Sequence, residues 1–177
     1  MRKAFQSFIR DGIIDAVNSS RIVMRIVVLA DTHVSRLEDI PEKIVHAVST
    51  ADLIIHAGDF TDVQALRELK QLREVKAVQG NMDSMQLRTI LPVKDILEID
   101  DKRIGITHGS GGPRGIEERI RKVFDGDQVD VIVYGHSHRS QNKVIDGVLF
   151  FNPGTATDSF GILIIDGDVK GEIISSR

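Results

Sequence analysis

Cysteine is absent from all 177 residues, which excludes disulfides and thiolate metal sites. Any metal must then be held by oxygen and imidazole. No apolar run approaches the ~20 residues of a membrane span, so no membrane contact is expected. Positive charge is not in excess either: 23 Lys and Arg stand against 26 Asp and Glu, a net charge of −3. That balance offers no electrostatic footprint for nucleic acid. Repeats, low-complexity segments and linkers are also missing. A chain of this length suits one domain with a real core. With 41% hydrophobic and 28% charged residues the composition is ordinary for a globular protein, and the reducing cytoplasm fits it.

The first stretch stands apart. Phe5, Phe8, Ile9, Gly12, Ile13, Ala16 and Val17 form an i, i+3, i+4 stripe, which predicts an amphipathic helix over Met1 to Ser20. It lacks the apolar core of a secretory signal, and Asp11 and Asp15 do not suit a mitochondrial presequence. We read residues 1–23 as an N-terminal amphipathic extension and 24–177 as the domain, with Met24 just before the first strand.

Five short apolar runs in the domain stop at a potential metal ligand. They are Ile26–Ala30 before Asp31-Thr32-His33, Leu53–Ile55 before His56-Ala57-Gly58-Asp59, Val75–Val78 before Gly80-Asn81, Ile104–Thr107 before His108-Gly109, and Val131–Tyr134 before Gly135-His136-Ser137-His138. Each is β-branched and nearly free of charge, as strands buried on both faces are. Such sheets form sites at the carboxyl ends of their strands. If these strands lie side by side, Asp, Asn and His converge on one edge. Five of the six histidines lie at these strand ends, and only His46 does not.

Helices are expected from Ile40 to Val48, with Pro41 in the first turn, and from an Asp62 cap through Leu72. A loop then leads to a hairpin, Asp95–Ile99 and Arg103–Thr107. The glycine-rich loop Gly109–Gly115 precedes a helix over Ile116 to Phe124. The tail reads as antiparallel strands with turns at Asp146-Gly147 and Gly167-Asp168. The first half is thus βαβα and the last third all strand, a pattern that two sheets covered by helices would satisfy.

The chemistry of the strand ends is that of a metal pair. Asp31 and His33 flank one residue and can reach one cation. Asp59, after a glycine, is free to bridge two. Asn81 offers a carbonyl oxygen, and His108, His136 and His138 offer imidazole nitrogen. Such a mixture suits Mn, Fe, Zn, Co or Ni better than Ca or Mg. The seven ligands exceed one tetrahedral zinc but fit two cations sharing a carboxylate.

Asp-x-His, Gly-Asp, Gly-Asn, His-Gly and Gly-His-x-His, in this order over about Met24 to Ile174, resemble the calcineurin-like metallophosphoesterases, and most of all their small single-domain phosphodiesterases. The resemblance implies an α/β fold, a four-layer α/β/β/α sandwich of two mixed sheets flanked by helices. It implies that Asp31, His33 and His138 hold one metal, Asn81, His108 and His136 the other, and that Asp59 bridges. The catalytic set is then Asp59, Asn81 and His108. Two divalent ions are implied, manganese first, with Ni, Co, Fe or Zn as substitutes. Asn152-Pro153-Gly154-Thr155 resembles the family's closing signature and is expected to support the site from behind. The chain departs from the family at Met82, where many members place a histidine, and at Ser110. Asp83, which would orient that histidine, is expected to cap a turn.

His56 reads as a strand-end residue behind the ligands, and His46 as structural or exposed. Arg114 and Arg139 lie near enough in sequence to touch an anion. Lys70, Arg73 and Lys76 look like a solvated face. The expectation is a phosphodiesterase in which a metal-bridging hydroxide attacks phosphorus in line, on a small phosphoester substrate, with a homo-oligomer compatible. The rivals are a non-catalytic scaffold of the same fold and, against the acidic balance, a nuclease.

Overall fold

The computed structural model describes residues 23–177, so the helix expected over Met1 to Ser20 lies outside the described residues. β1 (Met24–Leu29) leads through α1 (Glu42–Ser49) to β2 (Leu53–His56), and α2 (Val63–Leu72) leads to β3 (Val75–Ala77). After a short α3 (Met85–Ile90) come β4 (Lys94–Ile99), β5 (Lys102–Thr107), α4 (Ile116–Val123) and β6 (Val131–Val133). Two hairpins follow, β7 (Gln141–Ile145) with β8 (Val148–Asn152) and β9 (Ser159–Ile165) with β10 (Val169–Ser175). No helix among the described residues is long and apolar enough to cross a membrane.

The five apolar runs do not share one sheet. One five-stranded sheet has the order β10-β9-β1-β2-β3, and the other β4-β5-β6-β8-β7. β1, β2 and β3 run parallel in the first, and β5, β6 and β8 in the second, so both sheets are mixed. The tail is therefore not purely antiparallel: β8 pairs antiparallel with β7 and parallel with β6.

Alternation along the strands builds the layers. Val27, Leu29 and Ile54 face the cluster that includes Ile44, Val48, Leu66 and Leu69 of α1 and α2. Ile26, Val28, Leu53 and Ile55 face the other sheet and meet Ile104, Ile106, Val131, Val133 and Phe151. Ile132 and Phe150 face outward again, onto Ile116 and Ile120 of α4. Period-2 side chains that find an apolar layer on both sides give continuous apolar runs, not alternating ones. The result is the expected four-layer sandwich of helices, sheet, sheet and helix.

Local chemistry sets the element ends. Asp62 caps α2 by accepting from the Gln64 amide at 2.8 Å. Asp146 and Gly147 both have positive φ, 47° and 81°, as a two-residue type I′ hairpin turn requires. Arg73 is exposed, as a solvated face requires, yet it is also tied to the fold. Its guanidinium donates to the Ala51 carbonyl at 2.8 Å and the Ser49 carbonyl at 2.5 Å, closing the end of α1. α3 occupies what reads in sequence as loop. At 6 residues with one buried side chain, Leu87, it is too short to show a period.

The ring of Phe151 bridges the sheets. It lies between Gly161 on β9 and Gly171 on β10, and a Cβ on Gly171 would sit 2.6 Å from its Cε2. A side chain at Gly161 has even less room. We expect Gly161→Ala to destabilise the fold by about 1–3 kcal/mol through overpacking. Phe151→Leu in the same chain should recover part of that loss in urea unfolding, and additive losses would show that the ring is not gripped there.

Candidate metal centre

The candidate ligand side chains reach one edge because their backbone is bent there. Parallel pairing of β1 with β2 carries on past the strands, with the Asp31 amide donating to the Gly58 carbonyl at 3.0 Å and the His33 amide to the Asp59 carbonyl at 3.1 Å. Asp31, His33, Asp59, His136 and His138 all have φ between 50° and 65°. This left-handed region is sparsely used by side-chain-bearing residues and costs about 1 kcal/mol or more each time. Thr61, at φ 79°, is more unusual still, being β-branched.

Glycines let the turns close on one another. A Cβ on Gly58 would lie 2.8 Å from the His108 Nδ1, and one on Gly135 2.9 Å from the Asp31 Oδ2. Gly80 is packed against the Asp59 carboxylate with no space for any side chain.

The seven candidate ligands are brought together. The His138 Nε2 lies 3.4 Å from the Asp31 Oδ1, and the His33 and His138 rings have centroids 5.6 Å apart. On the other side the Asn81 Oδ1 is 3.1 Å from the His108 Nε2 and 2.9 Å from the His136 Nδ1. The Asp59 Oδ2 stands between, 3.3 Å from the His108 Nε2. Asp31, His33 and His138 form one tight group and Asp31, Asp59 and His108 another, so Asp31 is common to both. Asp31, Asp59 and His108 are buried, whereas His33, Asn81 and His138 are open to solvent.

Their outer contacts fix which atoms face inward. The His108 Nδ1–H donates to the Ala57 carbonyl at 2.7 Å, which leaves Nε2 for the centre. The His136 Nε2–H donates to the Gly111 carbonyl at 2.7 Å, which leaves Nδ1. Backbone amides complete the carboxylates, Met82 to the Asp59 Oδ1 at 2.7 Å and His136 to the Asp31 Oδ2 at 3.0 Å. One ring nitrogen on a carbonyl with the other aimed at a common point is how metal-binding histidines are held.

The Asp31 Oδ1 is buried with no hydrogen-bond partner. Burial raises the Asp31 pKa, partly offset by His108 and His138. Burial also works to raise Asp59, but hydrogen bonds from His108 and the Met82 amide outweigh it, and its pKa is lowered. For His108 burial acts to lower the pKa, and the Asp59 carboxylate more than reverses it. Carboxylate and amide oxygens therefore converge with imidazole nitrogens whose ring partners are already spent on carbonyls. A divalent cation satisfies them all, including the orphaned Asp31 oxygen, so the donor set fits one or two such ions.

Several supporting residues are invisible in the sequence pattern. Asp83 does not cap α3; Ser84 does, accepting from the Leu87 amide at 3.4 Å. The buried Asp83 carboxylate instead accepts from the Thr61 amide at 3.0 Å and the Gly80 amide at 2.7 Å, stapling the Asp59 turn to the Asn81 turn. Arg119 on α4 holds the glycine-rich loop, donating to the Ser110 carbonyl at 2.9 Å, the Arg114 carbonyl at 3.0 Å and the Gly112 carbonyl. Asn152 supports the site from behind as expected, donating to the Gly135 carbonyl at 2.9 Å and accepting from Gly154 at 2.9 Å. His46 is exposed on α1, away from the centre, and the side chains of Arg114 and Arg139 are exposed.

His56 is fully buried and stacks on Phe60, with centroids 3.5 Å apart. Its Nδ1 accepts from the Gly58 amide at 3.2 Å, so the proton sits on Nε2, 3.1 Å from the Thr32 hydroxyl. Burial drives its pKa down to about 3. Because the unfolded chain binds this proton near pH 6.5 and the folded chain does not, stability is present above that value and is lost as pH falls towards 3. In chelator, wild-type protein should lose about 2 kcal/mol more than His56→Gln between pH 7 and pH 5 in urea unfolding. Parallel losses in the two proteins would show that the folded state accommodates the charged ring.

Comparison with known proteins gives the same outline. The chain is 41% identical over 136 residues to the probable metallophosphoesterase MJ0623 of Methanocaldococcus jannaschii, covering 76% of this chain and 69% of that protein. It is 28% identical over 170 residues to the phosphodiesterase MJ0936 of the same organism, covering 85% of this chain and 99% of the relative. Vps29 from Entamoeba histolytica, solved in complex with zinc, superposes with a TM-score of 0.68 at 27% identity, covering 87% of this chain and 100% of the other. The sequence model of the calcineurin-like phosphoesterase superfamily domain runs over residues 24–165, from β1 through β9 and every candidate ligand, and the chain belongs to that superfamily.

Proposed function

We propose that the protein is a metal-dependent phosphodiesterase built on two divalent cations. The observation that carries this reading is the orphaned Asp31 oxygen facing His138 and His108 at the meeting of the two ligand groups. Asp31, His33 and His138 would hold one ion, Asn81, His108 and His136 the other, and Asp59 would bridge. When bound, the pair supplies a hydroxide nucleophile near neutral pH and positive charge for the phosphoryl oxygens. The chain's own part is orientation. The Met82 amide fixes one oxygen of Asp59 and leaves the other to the centre. The Ala57 and Gly111 carbonyls hold the two rings in the tautomers that present a lone pair inward. The relative whose name is phosphodiesterase supports this choice of ester.

A protein-binding role on the same face is the second reading. Met82, Met85, Ile90 and Val93 are exposed apolar side chains on or beside α3, at the rim of the centre. Apolar clusters of this kind mark contact surfaces.

The readings separate on turnover. Hydrolysis of an aryl phosphodiester should require added manganese, nickel, cobalt or zinc, and Asp59→Asn should reduce it by more than ~10²-fold with loss of bound metal. Undiminished activity after exhaustive chelation would overturn the metal mechanism.

Met82 offers no proton to a leaving group, and it is exposed. Rates should therefore fall steeply as the leaving-group pKa rises, because protein acids normally contribute ~10²–10⁴-fold there. Met82→His should flatten that dependence by only about tenfold, below the usual range, since Asp83 is spent on Thr61 and Gly80 and does not orient a new ring. A shallow slope in the wild type, measured across esters of graded leaving group, would mean that another group already supplies the proton.

A further inference from the structure

A pocket of about 210 Å³ opens directly beside Asn81 and His108, walled by Gln79, Thr107, Val93 and Arg88. Its polar lining is already satisfied by backbone. The Gln79 side-chain Nε2 donates to the Leu91 carbonyl at 2.8 Å, and the Thr107 hydroxyl to the Val93 carbonyl at 3.3 Å. Arg88 differs. Leu87 buries the adjacent face of α3, so Arg88 is turned out beside the pocket. Its Nε donates to the Asp83 carbonyl at 3.0 Å and one terminal nitrogen to the Asn81 carbonyl. These contacts hold the guanidinium still but do not neutralise it. Among the described residues its side-chain partners are carbonyls alone, and its second terminal nitrogen has none.

We infer that this pocket is a subsite for a second anionic group on the substrate, with Arg88 as its specificity-determining residue. This rests on the phosphodiesterase reading, which places the reacting phosphoryl group at the other end of the pocket, over Asn81 and His108. A planar guanidinium already fixed by two carbonyls can receive a carboxylate or phosphate with little ordering cost. The volume lies below the ~300–1,000 Å³ of sites for drug-sized ligands. It admits one small acid-bearing arm, with Val93 as its apolar contact. The substrate class is thus a phosphodiester of small molecules, one arm of which ends in a carboxylate or a phosphate.

The test uses methylphosphonate monoesters, which keep the phosphoryl anion and whose alkyl arms are poor leaving groups, so that turnover during a titration is slow. Esters with ethyl, 2-carboxyethyl and 2-phosphoethyl arms are titrated calorimetrically into manganese-loaded protein. The anionic arms should bind about tenfold or more tightly than ethyl, and the better of the two identifies the acid. Arg88→Met should bring the ratio of anionic to ethyl affinity close to one, and Arg88→Lys should leave an intermediate ratio, because lysine keeps the charge and loses the fork. Arg88→Met also releases the Asn81 carbonyl, so all three affinities fall; the ratio is the readout, with metal content measured alongside. A ratio near one in the wild type, or one unchanged in Arg88→Met, overturns the subsite. The nitrophenyl diesters with the same arms test the other reading independently: binding preference without metal-dependent hydrolysis leaves the subsite standing and removes the phosphodiesterase.

Discussion

Two buried carboxylates and an imidazole cannot share one space without a further positive charge or a shared proton. Asp31 and Asp59 both lie in the interior within reach of the His108 Nε2, at 3.9 and 3.3 Å. Transfer of a carboxylate out of water is expensive unless something compensates it. Here the shifts point the way: Asp31 is pushed up by burial, while Asp59 is held down and His108 raised by their mutual contact. That arrangement makes sense as the rim of a cation site, where the ion does what a borrowed proton does less well. The strained turns, the glycines without room for a Cβ and the carbonyls behind each ring all serve to keep these groups together.

The strain is distributed and anchored from outside. Five candidate ligands adopt left-handed backbone, a conformation the residues do not favour on their own. Burial between two sheets and a set of buried contacts hold it. Asp83 ties the Thr61 turn to Gly80, Asn152 ties Gly135 to the loop after β8, and His56 braces Gly58 against Phe60. Each acts through backbone, so the geometry of the centre depends on residues that do not themselves face it. The interior fold energy from the sheets is what makes such local cost tolerable.

The two flanks of the centre differ in surface. Met82, Met85, Ile90 and Val93 present apolar surface around α3, and Arg88 stands among them with its charge unbalanced. The side that carries Asp31, His33 and His138 shows nothing comparable.

The strands, the ligand types and their order were legible in the sequence because buried parallel strands are apolar on both faces and end abruptly where their loops begin. The Asp62 cap and the Asp146-Gly147 turn were legible for a similar reason, since their conformations demand particular residues within a few positions. Other features depend on partners far apart in the chain. Asp83 reads as a cap until Thr61, 22 positions away, supplies an amide. Arg73 is exposed as it reads, but its tie to the Ser49 and Ala51 carbonyls exists only in the fold. The six-residue α3 has no period to detect, and Arg88 reads as a surface charge until the pocket forms beside it. The division of the five runs between two sheets is also decided only in three dimensions, because any parallel strand carries the same apolar signal whichever neighbour it pairs with. The identity of a candidate ligand is a local property of the chain, whereas its placement, its support and its charge environment are set by contacts that exist only once both sheets have packed.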